Sequence, residues 1–140
     1  MKRLLHGFVI SLSVITGPAL AETVTYACQY VKSGGLTWEQ GQWKATAFKT
    51  KPPFFLKTQN GSLTLESVWQ VFFPGQFDRS KPYGPVCTPV VFKNQSQSCT
   101  DGFGNTIRFS ATDLSGTAAK LFLTEGARTL SVAPFVCTRF

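Results

Sequence analysis

Apolar residues alternate with polar ones near the start of the chain, and this alternation predicts a β-strand. Thr23 to Val31 is rich in β-branched and aromatic residues, and Ser33-Gly34-Gly35 supplies residues that end a strand. An extended backbone brings alternate side chains to one face. On that face lie Val24, Tyr26, Cys28 and Tyr30.

The alternation continues through the next segments. Gln42 to Lys49 predicts a second strand, with Trp43, Ala45 and Ala47 opposed to Lys44, Thr46 and Phe48. Pro52-Pro53 cannot donate backbone hydrogen bonds, so Phe54 to Thr58 fits an edge strand better than a central one. Asn60-Gly61 is a strong signal for a two-residue turn.

After this turn the apolar spacing becomes helical. Thr64 is a good N-cap, Glu66 lies in the first turn, and Pro74-Gly75 stops the run. The residues at helical spacing are Leu65, Val68, Trp69 and Phe72. A strand would instead align Leu63, Leu65, Trp69, Val71 and Phe73, and this alternative stays open.

The second half of the chain predicts a long loop followed by hairpins. Pro74 to Pro89 has loop composition, and loops of this length are often functional. Val86 to Lys93 and Gln95 to Thr100 flank Asn94 as a hairpin. Asp101 to Asn105 is a glycine-rich turn. It leads into Thr106 to Ser110, with Ile107 and Phe109 inward and Arg108 outward.

The last two apolar segments complete the predicted fold. Ala118 to Leu123 fits a helix or a strand equally well. Arg128 to Phe140 predicts a closing strand with Leu130, Val132 and Val136 in alternation and Pro134 at a bulge or an edge. We therefore expect a mainly β, single-domain antiparallel barrel or sandwich of about seven strands, with one or two short helices and two disulfides.

The first residues predict a secretory signal peptide rather than part of this fold. Lys2 and Arg3 precede a short apolar run, and Gly17-Pro18 stands before Ala19-Leu20-Ala21. This run is too short for a comfortable transmembrane helix, and the competing interpretation is an uncleaved anchor. We expect a leader at residues 1–21, a single β domain at 22–140 and a secreted or periplasmic protein.

Removing the leader also limits the chemistry. The full chain has 14 basic and 7 acidic residues and one histidine, for a net charge of +7. Without Lys2, Arg3 and His6, 12 basic residues face 7 acidic ones, which gives +5, and no histidine remains. Catalytic relays that use histidine as a base are thereby excluded, and imidazole metal sites also lack their ligand. We expect no cofactor and no metal.

Four cysteines lie after the leader, and an even number in a small exported chain predicts two disulfides. Four cysteines allow three pairings. We favour Cys28 with Cys137, because the opening and closing strands are neighbours in a closed sheet, and Cys87 with Cys99 across a short connection. A metal cluster is the rival interpretation, but no C-x-x-C pair supports it.

The acidic residues offer a weak hydrolase hypothesis. A glycosidase needs two carboxyl groups facing each other across a cleft, and Glu39 with Asp78 is the least implausible pair. The other acidic residues have simpler structural explanations. Asp101, for example, opens a turn, and Glu66 supports the start of a helix. We therefore predict a protein that is not an enzyme.

Lysines and aromatic residues alternate between positions 32 and 57, which marks a candidate binding segment. The candidate binding residues are Lys44, Lys49, Lys51, Lys57, Trp38, Trp43, Phe54 and Phe55. Cations among aromatic faces suit an anionic polymer or glycan of the cell envelope, although nucleic acid is excluded by the expected compartment. The simpler interpretation is that the rings belong to the core and the lysines guard an exposed edge.

Leu114-Ser115-Gly116 resembles the Ser-Gly loop of the small envelope inhibitors of C-type lysozymes. The tyrosine that follows this loop in that family is absent, and a basic chain does not complement a basic lysozyme. The resemblance therefore assigns no site residue. We predict an exported, non-catalytic, inhibitor- or adaptor-like protein that binds an envelope protein partner through the Pro74 to Pro89 loop or an exposed aromatic patch.

Overall fold

The computed structural model describes residues 21–75, 84–89, 96–124 and 127–140. The described strands are β1 (Thr23–Tyr30), β2 (Gly34–Glu39), β3 (Gln42–Ala47), β4 (Phe54–Gln59), β5 (Ser62–Leu63), β6 (Val86–Cys87), β7 (Ser96–Thr100), β8 (Asn105–Ser110), β9 (Ser115–Thr124) and β10 (Ala127–Arg139). The helix α1 (Leu65–Phe72) lies between β5 and β6. Most of the predicted leader lies outside the described residues.

All the strands belong to one antiparallel sheet that curls into a nearly closed barrel. Its order is β5, β4, β1, β10, β9, β8, β7, β6, with β2 and β3 branching from β10. The predicted mainly β antiparallel fold is confirmed, and of the two predicted architectures, barrel and sandwich, the structure has the barrel-like one. The strand count exceeds the predicted seven because β2 and β5 lie in segments not predicted as strands, and because Ala118 to Leu123, which fits a helix or a strand equally well, forms part of β9.

One buried side chain connects the two ends of this sheet. Gln97 on β7 accepts a hydrogen bond from the Leu63 N–H of β5 at 2.6 Å, and its amide donates to the Thr88 carbonyl at 2.8 Å. An unpaired amide in this position would cost free energy, and Gln97 is satisfied on both sides. Among the described residues, Gln97 thus joins the two ends of the sheet, which no strand ladder connects.

Aromatic and branched side chains from five strands fill the barrel. Tyr26 and Phe109 meet edge to face with ring centroids 5.0 Å apart, and Phe54 meets Phe135 at 5.1 Å. Leu56 and Ile107 are fully enclosed between these rings. The predicted inward faces of β1 and β8 are confirmed by these contacts.

The predicted helix is also confirmed, including its first residue. Thr64 accepts a hydrogen bond from the Ser67 N–H at 3.4 Å as the N-cap, and α1 inserts Val68, Val71 and Phe72 into the core. Leu65 is 53% exposed, so it lies outside the buried stripe in which its spacing had placed it. The helix closes onto β4 through the Thr64 N–H, which donates to the Lys57 carbonyl at 2.8 Å.

Both predicted disulfides are present. Cys28 and Cys137 are register partners on β1 and β10, and Cys87 and Cys99 are partners on β6 and β7. The first closes a sequence separation of 109 residues and the second one of 12. Loop-closure entropy makes the long crosslink the stronger one, about 4.7 kcal/mol against about 3 kcal/mol for loops of these sizes.

Strand β10 changes partner halfway along its length. Residues 135–139 pair with β1 and residues 129–132 pair with β2, while β9 pairs with residues 127–136 on the other side. Pro134 lies at the change of partner and keeps its register with Thr117 on β9. On its other side, residues 31–33 lie opposite residues 133–134, so the predicted bulge lies in the segment between β1 and β2 rather than in β10 itself. The missing N–H of Pro134 is tolerated there because neither partner strand requires it.

Candidate functional site

The hairpin β2–β3 extends the sheet away from the barrel. Within the described residues β3 pairs with β2 alone, and β2 joins the barrel through β10. We call this region the wing, meaning β2, β3, residues 119–123 of β9 and residues 128–132 of β10. Gly35 permits the junction, since a Cβ there would lie 1.8 Å from the Leu130 carbonyl oxygen.

The strand register collects apolar side chains on the outer side of the wing. Leu130 is opposite Leu36 on one side and Leu121 on the other, and Val132 is the next outward residue. Ala133, the residue after Val132 on β10, points the other way into the barrel and is buried. We call the resulting surface the outer apolar face. It consists of Leu36, Trp38, Trp43, Ala45, Leu121, Leu130 and Val132.

Two tryptophans and an arginine form one end of the outer apolar face. Trp38 and Trp43 are register partners whose rings meet edge to face at 5.3 Å. The Arg128 guanidinium lies over the Trp38 ring, 5.4 Å from its centroid. Such a contact holds the guanidinium against the ring by cation–π attraction while it keeps its charge. Trp43 remains 42% exposed, and Leu121 and Val132 are each 41% exposed.

The other side of the wing is polar, which reverses the usual arrangement of a barrel strand. Lys44 and Glu39 form an ion pair there at 3.3 Å. Among the side chains that the structure describes, the others on that side are Thr37, Gln42, Thr46, Lys120, Thr129 and Ser131. These polar residues occupy the side continuous with the barrel interior, and the described apolar residues of the wing lie on the opposite side.

A second concave surface lies between β4 and α1. This groove has a volume of about 530 Å³, and most of its lining is apolar, including Pro53, Phe55 and Val71. The remaining lining residues are Thr25, Tyr30, Lys51, Pro52, Phe54, Lys57, Glu66, Ser67, Gln70 and Pro74. None of them belongs to the outer apolar face.

Two titratable groups in the groove have shifted pKa values. Burial raises the pKa of the Tyr30 hydroxyl from 10.0 to about 12. Surrounding protein atoms lower the pKa of Lys51 below its ordinary value, and the nearby charge of Lys120 lowers it further. The Lys51 side chain nevertheless keeps contact with solvent.

Seven of the eight predicted binding residues divide between these two surfaces, and Lys49 lies on neither. Trp38, Trp43 and Lys44 belong to the wing, although Lys44 projects to its polar side. Lys51, Phe54, Phe55 and Lys57 line the groove, and Lys49 is exposed in the connection between them. Phe54 packs on the core, as the simpler interpretation expected, whereas Phe55 is 58% exposed beside Phe140.

The acidic residues have structural partners. Asp101 accepts hydrogen bonds from the Phe103 N–H at 2.8 Å and the Asn105 N–H at 3.0 Å, as expected for a residue that opens a turn. Glu39 is paired with Lys44, and Asp78 lies outside the described residues, so the hydrolase pair stays a prediction. Among the described residues that line the groove, Glu66 is the single carboxylate.

The chain was compared with protein-family models, curated proteins and solved structures, and none of them matches. In the part of the chain that the structure describes, no helix has the length and apolarity needed to cross a membrane. The outer apolar face and the groove are therefore the features that bear on function.

Most of the outer apolar face was not identified from the sequence. Leu121, Leu130 and Val132 come from a distant part of the chain, and no local pattern links them to Trp38 and Trp43. A signal for β2 was present, because Leu36 and Trp38 alternate with polar residues just before Gln40-Gly41. Both turn residues have positive φ, 51° and 81°, as a tight two-residue hairpin requires.

Proposed function

We propose that this chain is an exported, non-catalytic binding protein that recognises a protein partner through the outer apolar face. The observation that carries the proposal is the reversed polarity of the wing, with two tryptophans, three leucines and a valine on the side away from the barrel. Contiguous exposed apolar surface of this kind is typical of interaction sites. Tryptophan and arginine are also the residues that contribute most to protein interfaces.

The distribution of charge supports a protein partner over an anionic polymer. Lys44 is paired with Glu39 on the polar side of the wing, and Lys57 lines the groove. A polyanion binds best to cations that track along one surface, whereas the candidate lysines are divided, with Lys44 on the wing and Lys51 and Lys57 in the groove. Arg128 provides a single cation next to the apolar residues, which suits an apolar partner surface that carries a carboxylate near its rim.

The two disulfides support export, since they form and persist in oxidising compartments. This agrees with the signal-peptide pattern at residues 1–21. An inhibitor or adaptor needs a rigid binding surface, which a disulfide-crosslinked barrel provides. It needs no catalytic group, and the chain has no histidine after the predicted leader.

The test is photo-crosslinking in the source cells with the full chain. A photoreactive residue at position 43 is expected to crosslink one partner, and the same residue at position 98 on the polar surface of β7 is not. Adding Leu121→Asp should abolish the crosslink at position 43, whereas the matched control Ser98→Asp should preserve it. A crosslink that persists with Leu121→Asp, or none at all, would reject the proposal.

A membrane surface is the other occupant to be tested. Vesicles of neutral and anionic lipid should not sediment the purified protein. If they do, and Leu121→Asp abolishes the sedimentation, the outer apolar face binds lipid and the proposed protein partner is wrong.

A further inference from the structure

Among the described residues, strand β4 leaves most of its outer edge, the edge away from β1, unpaired beside the groove. The opposite edge of β4 pairs with β1 along its full length, whereas on the outer edge β5 pairs only with Thr58 and Gln59. Beyond those two residues the edge faces α1 across the groove instead of another strand.

The direction of each backbone group of β4 follows from two hydrogen bonds. The Asn60 N–H donates to the Glu22 carbonyl at 2.9 Å, so residues at even positions of this strand bond to β1. The Lys57 carbonyl accepts from the Thr64 N–H on the opposite side, which confirms that odd positions point outward. The N–H and carbonyl of Phe55 therefore point away from the sheet, and so does the N–H of Lys57.

These groups form the pattern that an added strand needs. Exposed donors and acceptors along an edge pair with any extended backbone that approaches at strand spacing, roughly 4.8 Å. The groove provides room for it, with Val71 of α1 on the far wall and Pro53 and Phe55 on the near one.

The charges of the groove indicate the composition of the added strand. Lys51 and Lys57 both line it, and within the described part of the chain neither forms an ion pair. Glu66 is the opposing carboxylate on α1. Tyr30 also lines the groove, so its hydroxyl can serve a polar group of the occupant.

We propose that the groove binds an extended acidic segment of another protein, which adds to β4 as a further strand. Main-chain hydrogen bonds to Phe55 and Lys57 provide the affinity, and Lys51 and Lys57 select carboxylate side chains. Pairing of β4 with β4 of a second copy is disfavoured, because it would bring the lysines of both copies together. This site is separate from the outer apolar face, and the proposal made for the groove does not depend on the proposed function of that face.

The probe is a phage-displayed library of random heptapeptides, selected on the oxidised protein. The selected peptides should be acidic, rich in β-branched residues and free of proline. Phe55→Pro removes the outward N–H without breaking a bond to β1, and it should weaken binding of the best peptide by about tenfold or more. The matched control Phe55→Ala keeps that N–H and should retain binding within about threefold.

Two further measurements decide between pairing and simple apolar contact. Synthetic peptide methylated on alternate backbone nitrogens should lose binding, and the amides of Phe55 and Lys57 should gain protection from hydrogen exchange in the complex. Equal binding of the methylated peptide, equal effects of the two Phe55 variants, or selection of basic or proline-rich peptides would overturn the proposal. Concentration-dependent dimers that Phe55→Pro abolishes would assign the edge to a second copy and also overturn it.

Discussion

The hairpins β7–β8 and β2–β3 belong to the same sheet but have opposite polarity. In β7–β8 the residues Cys99, Ile107 and Phe109 point inward and are buried. Its outer surface is hydroxyl-rich, and Arg108 donates to the Ser96 hydroxyl there at 3.0 Å. In β2–β3 the apolar residues point outward and the threonines and Lys44 take the other side.

The two hairpins differ in whether one of their sides faces the barrel interior. The barrel interior lies behind β7–β8, so its apolar face contributes to the core. No described strand or helix covers the corresponding side of β2–β3. Apolar residues that faced that way would not be removed from water there, so they would add no hydrophobic stabilisation. Alternation separates the two faces of a strand, but only the surrounding fold determines which face is buried.

The largest expected effect compares the two hairpins directly. Phe109→Ala should destabilise the protein by about 3 to 5 kcal/mol, because it leaves a cavity in a fully packed core. Trp43→Ala removes a larger side chain from the outer apolar face and should cost less than about 1 kcal/mol. Denaturant unfolding of the oxidised protein measures both, and similar costs would mean that the wing is part of the core.

A second substitution separates the wing from the barrel. Gly35→Ala should cost about 1 to 3 kcal/mol, because its Cβ would collide with the Leu130 backbone and push β2 away from β10. Amide hydrogen exchange should become faster in β2 and β3 and stay slow in β1 and β8.

Gly34→Ala is the matched control for this substitution. Its Cβ would meet the Thr46 carbonyl oxygen at an ordinary 3.6 Å, so the ladder should be unaffected. If both alanine variants behave alike, the close approach at Gly35 is not what attaches the wing.

The smallest effect concerns the barrel alone and appears only at high pH. The pKa of Tyr30 rises from 10.0 to about 12 on folding, so its stabilising contribution is complete below pH 10 and is lost as pH rises toward 12. At pH 11 the wild type should therefore lose about 1 kcal/mol relative to Tyr30→Phe. Denaturant unfolding at pH 8 and pH 11 tests this, and equal pH dependence in both proteins would contradict it.

The sequence predicts the barrel better than it predicts the wing. The strand β1, the helix after Thr64 and the Asn60-Gly61 turn follow from local patterns, because each depends on residues close in the chain. The two disulfides follow from the even number of cysteines, from the short connection between Cys87 and Cys99, and from the expected pairing of the opening and closing strands. The Asn60-Gly61 turn has positive φ at both residues, 52° and 78°, as its sequence requires. Ala118 to Leu123 could not be decided, since periodicity alone does not distinguish a strand from a helix there, and it forms part of β9.

The candidate site could be predicted only in part, for two physical reasons. Gly34-Gly35 was interpreted as the end of a strand, whereas the second glycine is required by a close approach within the sheet. Val132 and Leu130 were recognised as alternating, but the pattern does not reveal that they face outward. The groove depends on the helix α1 lying beside β4, and no sequence signal reports that packing.

The course of β10 has a mechanical consequence. The same strand presents Val132 on the outer apolar face and carries Cys137 of the disulfide to β1 farther along. A bound molecule that pulls on the wing would apply force along β10. The Cys28–Cys137 disulfide would carry this force to β1, so the hydrogen bonds between β10 and β1 would not have to break. A tether pulled in this way would yield first in the hydrogen bonds that hold β2 to β10, and the barrel would stay folded behind it.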